Sequence, residues 1–166
     1  MAQNVSTGTT MTLPSDREIL ITREFDAPRE LIWEATTKCE HMQNWWGPKR
    51  YVITSCDMDV RPGGKWRIVQ RGEDGSEHGF RGEYREVVAP ERCVQTFEYE
   101  GMPGHISVET LRLEELPGSR TRWVARSVFD SPEDRDGMLS SGMEEGMRET
   151  MDRLAELLQG MKARAA

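Results

Sequence analysis

From Tyr51 to Phe129 the chain runs in short alternating stretches, each ended by a turn signal: Pro62-Gly63-Gly64, Glu73-Asp74-Gly75, Ala89-Pro90-Glu91, Gly101 to Gly104, and Pro117-Gly118. Successive strands joined by such short links must run antiparallel as neighbours. The pattern predicts about six strands in a meander of hairpins and disfavours a βαβ dinucleotide-binding fold. Ser131-Pro132-Glu133-Asp134 then forms a capping box, with proline in the first turn and acids at the positive end of a helix dipole. Beyond it Leu139, Met143, Met147, Met151, Leu154, Leu157, Leu158 and Met161 fall within an arc of roughly 120° on one long helix. The concave face of the sheet is the only large apolar partner for that stripe.

The segment before the meander completes the order. Residues 1–16 are rich in Thr, Ser, Gln and Asn and are expected to form a flexible tail. Glu18 to Asp26 alternates imperfectly as a strand, and Asp26 offers an N-cap oxygen near Pro28. PRELIWEATT then starts a helix with Leu31, Ile32 and Ala35 inward. A second helical piece covers Glu40 to Trp45 and is stopped by Gly47-Pro48. The expected fold is α+β, ordered β-α-α-β(six)-α. A domain spans residues 17–162, with a C-terminal tail at 163–166.

Composition narrows the partners. The formal net charge of -7, with no long basic run, disfavours nucleic acid. No stretch reaches the ~20 apolar residues of a membrane span, and the N-terminus carries neither a basic nor an apolar leader region, so the expected compartment is the cytoplasm. Cys39, Cys56 and Cys93 are an odd count without a C-x-x-C pair, read as reduced, mostly buried thiols. His41, His78 and His105 are far apart and show no ligand spacing, so neither a metal nor a cofactor is expected. There is no G-x-S-x-G elbow, and Arg61-Pro62-Gly63-Gly64 reads as a turn rather than a phosphate cradle.

Four stretches carry a family likeness: Trp45-Trp46-Gly47-Pro48; Asp59-Val60-Arg61-Pro62-Gly63-Gly64-Lys65-Trp66-Arg67; Gly82-Glu83-Tyr84-Arg85-Glu86-Val87; and Gly146-Met147 ahead of Met151-Asp152-Arg153-Leu154-Ala155-Glu156-Leu157-Leu158. In this order they resemble small bacterial homologues of the ATPase activator of the 90-kDa heat-shock chaperone. That family is similar to the wider START and birch-pollen-allergen (SRPBCC) superfamily. The resemblance covers about residues 17 to 160. It implies a helix-grip fold, a curved sheet wrapped around the C-terminal helix with a cavity for apolar ligands between them. Met147 stands where relatives commonly carry a tryptophan, which implies a more adaptable pocket floor.

Strand parity puts Trp66 and Ile68, Phe80, Gly82 and Tyr84, Phe97 and Tyr99, Glu109, Leu111 and Leu113, and Trp123, Ala125 and Ser127 on the concave face. The residues expected to bind a ligand are Trp46, Trp66, Phe80, Tyr84, Phe97, Tyr99, Glu109, Leu111, Trp123, Met143, Met147 and Met151. Taken singly, each is better explained by core packing, and the resemblance is what favours a pocket. Glu109 is the sharpest candidate: facing inward, its carboxyl must be paired, hydrogen-bonded or protonated; facing outward, it is a solvated charge. No catalytic constellation stands out. Three functions follow: binding of a small apolar or aromatic molecule; a cyclase or aromatase acting on one in the same cavity, with Glu109, Tyr84 or Tyr99 moving protons; and a contact with a chaperone, implied by the resemblance alone. A contact between two copies of the chain is left open.

Overall fold

In a computed structural model, which describes residues 8–165, the hairpins build one eight-stranded antiparallel sheet. The six expected strands are β3 (Val52–Met58), β4 (Lys65–Arg71), β5 (Glu77–Val88), β6 (Arg92–Tyr99), β7 (Ile106–Leu116) and β8 (Arg120–Val128). Each pairs with the next, as short turns demand. β2 (Glu18–Phe25) joins from the other end by pairing with β8, with Glu18 opposite Val128 and Phe25 opposite Thr121. A three-residue strand, β1 (Thr10–Thr12), adds to the free edge of β2. The order across the sheet is β1-β2-β8-β7-β6-β5-β4-β3.

Two devices bend this sheet. Register shifts break the β3–β4 and β5–β6 ladders, between Ile53 and Ser55 and between Tyr84 and Glu86. An extra residue in one strand increases local twist. The second is Gly82, where a Cβ would overlap both the Thr96 carbonyl and the Trp66 indole. The missing side chain lets the Trp66 ring lie across β5, where its Nε1–H donates to the Thr96 carbonyl at 3.2 Å.

Helices α1 (Arg29–Thr37) and α2 (Cys39–Trp45) follow β2, and α3 (Pro132–Ser140) and α4 (Met143–Ala165) follow β8. The α4 residues Met151, Leu154, Leu158 and Met161 are buried in one cluster with Ile32 and Ala35 of α1, Met42 and Trp45 of α2, and Trp66, Ile68, Leu113 and Trp123 of the sheet. The apolar stripe thus meets the concave face, giving the two-layer helix-grip arrangement. Polar contacts fix α4 laterally. The Arg153 guanidinium donates to the carbonyls of Gly47 and Asn44, and the Lys49 N–H donates to Glu149 Oε2 at 2.7 Å.

Several expectations need correction. The C-terminal helix is two helices. Ser131 caps α3 as expected, accepting from the Asp134 N–H at 3.1 Å. The helix then ends, because Gly142 takes φ 83°, a left-handed conformation open to glycine. The N-terminal tail is ordered in part, since Thr10–Thr12 gains backbone partners on β2; residues 1–7 lie outside the described residues. The C-terminal tail at 163–166 is the last turn of α4 as far as Ala165. Asp26 does not cap α1: the N-cap is Pro28, without a side-chain bond, and the Asp26 carbonyl instead accepts from Lys162 at 2.9 Å. Two of the three thiols are not reduced. Cys39, at the start of α2, is bonded to Cys56 on β3, leaving Cys93 free and buried.

Candidate functional site

The ladders place every residue expected on the concave face on one side of the sheet. Trp66 faces Gly82, Ile68 faces Phe80, and Phe80 faces Tyr99. Glu109 faces Gln95 and Ser127, Leu111 faces Ala125, and Leu113 faces Trp123. Glu109 therefore points inward.

Burial divides the twelve candidates into two groups. Trp66, Tyr84, Trp123 and Met151 are closed off in the core. Trp123 meets Phe25 and Trp45 edge-on, at 6.0 Å and 6.3 Å between ring centroids. Trp46, Phe80, Phe97, Leu111 and Met147 pack against that core but stay half-buried, as do Tyr99 and Glu109. Met143 is half-buried too, yet it stands outside the core contacts, one turn beyond Met147. Ala125 and Ser127 complete a partly reachable inner surface toward β8.

Aromatic rings line the β4–β6 end of this surface. Trp46 caps α2 and sits edge-on to Phe80 at 5.3 Å. Phe80 stacks in turn with Phe97 at 5.6 Å and Tyr99 at 5.2 Å. The adjacent Trp45 is buried, and its indole N–H donates to the Ala35 carbonyl at 2.9 Å, locking α2 onto α1. One ring of the tandem pair therefore serves the core and the other stays half-buried against Phe80.

Polar groups interrupt the apolar wall at its centre. Burial pushes the Glu109 carboxyl up to about 7, against the opposing effect of hydrogen bonds from the Ser127 and Gln95 side chains. The Ser127 hydroxyl donates to Glu109 Oε2 at 3.5 Å. Burial, with Glu109 nearby, also pushes the Cys93 thiol up to about 11, so this free cysteine is a poor nucleophile. Burial raises the Tyr84 phenol as well.

Four inner-face residues were not among the site candidates from sequence, although strand parity puts them there. Gln95 lies two residues before Phe97, and His78 two before Phe80. Ser107 lies two before Glu109 and is buried. Arg23 lies two before Phe25 and is buried, donating to Asp152 Oδ1 of α4 at 2.7 Å across the layer boundary. Of the other histidines, His41 contacts Glu34 at 2.9 Å, and exposed His105 contacts Asp134 of α3 at 2.8 Å. Among the described residues no cluster of His, Cys, Asp and Glu could hold a metal ion.

The opposite face of β3–β6 has a different character. A groove of about 580 Å³ lies there, lined largely by charged side chains; a second, of about 330 Å³, is bordered by Arg67, Glu77 and Glu100 together with His78 and Tyr99. Arg67 pairs with Glu100 at 2.7 Å and Arg81 with Glu98 at 3.0 Å across the strands. These solvated pairs offer little to an apolar guest.

A family model described as Activator of Hsp90 ATPase homolog 1-like protein matches residues 26–159. Among curated proteins, none matches. Several solved structures share the fold. A Rhodobacter sphaeroides protein superposes with a TM-score of 0.84 at 25% identity, over 91% of this chain and 98% of that one. A Nitrosomonas europaea protein gives 0.80 at 27% identity, over 91% and 99%. A Mycobacterium smegmatis protein gives 0.79 at 25% identity, over 92% and 96%.

Proposed function

Since the chain belongs to the Activator of Hsp90 ATPase homolog 1-like family, we propose that it holds a small, largely apolar or aromatic molecule between the sheet and α4. One observation carries this function: Glu109, its carboxyl raised by burial to about 7, stands on the inner face among side chains that stay only half-buried. A solid core would cover such a group, and the outer face would hydrate it; a cleft does neither. Half-buried Trp46, Phe80, Phe97, Leu111 and Met147 supply the apolar contact area around it.

A cyclase or aromatase activity in the same cleft has one specific feature in its favour. A carboxyl titrating near 7 can both give and take a proton under physiological conditions. Support for a chaperone contact comes from the family description alone. No helix of the described residues is long and apolar enough to cross a membrane. We place the protein in the cytoplasm, although the Cys39–Cys56 bond removes the support that reduced thiols would have lent.

Native mass spectrometry of the purified protein should retain a small molecule, and 1-anilinonaphthalene-8-sulfonate should bind to the emptied protein with enhanced fluorescence. Ala125→Phe, which fills the cleft beside Leu111, should weaken that binding at least ten-fold while preserving the circular dichroism spectrum. Undiminished binding in the filled variant would place the dye elsewhere and remove the proposal.

A further inference from the structure

At the open end of the inner face, a line of hydrogen bonds runs from the surface to Tyr99. In the β4–β5 turn the Ser76 hydroxyl donates to Asp74 Oδ1 at 2.6 Å, and the Ser76 N–H donates to the same oxygen at 3.0 Å. Nε2 of His78 lies 3.2 Å from the Ser76 hydroxyl oxygen, and Nδ1 of His78 lies 2.7 Å from the Tyr99 hydroxyl.

Counting protons gives each bond a direction. Asp74 is an acceptor, and the two bonds from Ser76 hold its carboxyl below the ordinary range. Ser76 has a single hydroxyl hydrogen, and it is directed at that carboxylate. Ser76 therefore presents a lone pair to His78, and Nε2 must carry the hydrogen. A neutral imidazole then has a bare Nδ1, so the Tyr99 O–H donates to it. With its hydrogen engaged, the Tyr99 oxygen has only acceptor capacity left.

The Tyr99 ring borders the groove of about 330 Å³, where that capacity is open to a guest. Tyr99 is the cross-strand partner of Phe80 and stacks on it at 5.2 Å, while Gly101 leaves room for the phenol on the other side. Tyr51 holds His78 edge-on at 5.8 Å. Both Tyr99 and His78 are half-buried.

We propose that Tyr99, oriented by His78, Ser76 and Asp74, is the recognition point of the cleft, and that its ligand is an aromatic or apolar molecule carrying a hydroxyl or N–H donor. This rests on the binding function proposed above and narrows its ligand class. A guest without a donor would displace water from the Tyr99 oxygen and give nothing back, whereas a donor restores the bond.

The test uses 2-naphthol and 2-methoxynaphthalene, which share a ring system and differ in the donor. Their affinities are read by displacement of 1-anilinonaphthalene-8-sulfonate. In the wild type the naphthol should be favoured, and Tyr99→Phe should reduce the naphthol-to-ether affinity ratio about five-fold, the worth of one neutral hydrogen bond. His78→Leu, which frees the Tyr99 hydrogen to meet the ether oxygen, should narrow the ratio as well. A ratio unchanged by Tyr99→Phe, or a wild type that prefers the ether, overturns the assignment while leaving the cleft as a binding site. Displacement by neither compound overturns this inference, while the Ala125→Phe comparison decides the binding function separately.

Discussion

At the scale of single residues, Glu109 gives the clearest physical signature. Its ordinary value of 4.5 is raised to about 7 in the folded chain, so between those values the native state holds a proton that the unfolded chain has lost. Stability should therefore fall as pH rises from about 4.5 to 7, by at most about 3 kcal/mol, and then level off. Glu109→Gln removes this dependence, and by urea unfolding the variant should gain on the wild type between pH 5 and pH 8. Parallel curves for the two proteins would mean that the carboxyl is hydrated. Sequence reading reached the right candidate and put it on the concave face, but left an outward alternative open, because one residue of register exchanges the core for solvent. The neighbours that decide it, Gln95 and Ser127, come from two other strands and carry no local signal at Glu109.

At the scale of elements, the meander and the paired helices α1 and α2 were legible because turn chemistry and periodicity are local. Three features were not. β1 is a strand only by virtue of its pairing with β2, which a Thr-rich stretch does not announce. The α3–α4 break turns on the backbone angle at Gly142, within a pattern that stays helical on either side. The Cys39–Cys56 bond joins α2 to β3, and no spacing rule distinguishes it from two buried thiols. Replacing both cysteines by serine should lower stability by about 3 kcal/mol on the loop-entropy estimate, seen as a lower urea midpoint. An unchanged midpoint, alike with and without reductant, would show that the bond contributes nothing. Gly142→Ala should cost about 1 kcal/mol through its positive φ, measured the same way. A neutral result there would mean that the helices can fuse without penalty.

For the molecule as a whole, two-layer packing was legible from the stripe on the last helix and the lack of any other partner for it. The pairing of β2 with β8 was not, because their contact joins segments separated by nearly the entire fold. That pairing makes the sheet interdependent from end to end, and α4 seals it with Leu154 and Leu158, which are almost completely buried. A chain ended after Leu116 would lack β8, both final helices and the partner of β2. It should show no cooperative transition in urea by circular dichroism, whereas the intact chain should unfold in one step. A cooperative transition in the shortened chain would show that β3–β7 are stable alone.

The same connectivity bears on how the protein is born. Glu18 is made well before its neighbour in the sheet, Val128. Until then β2 travels with Ile19, Ile21 and Phe25 uncovered, an unsatisfied hydrogen-bonding edge in search of a mate. Throughout that wait the nascent polypeptide is open to pairing with its copies on the same messenger.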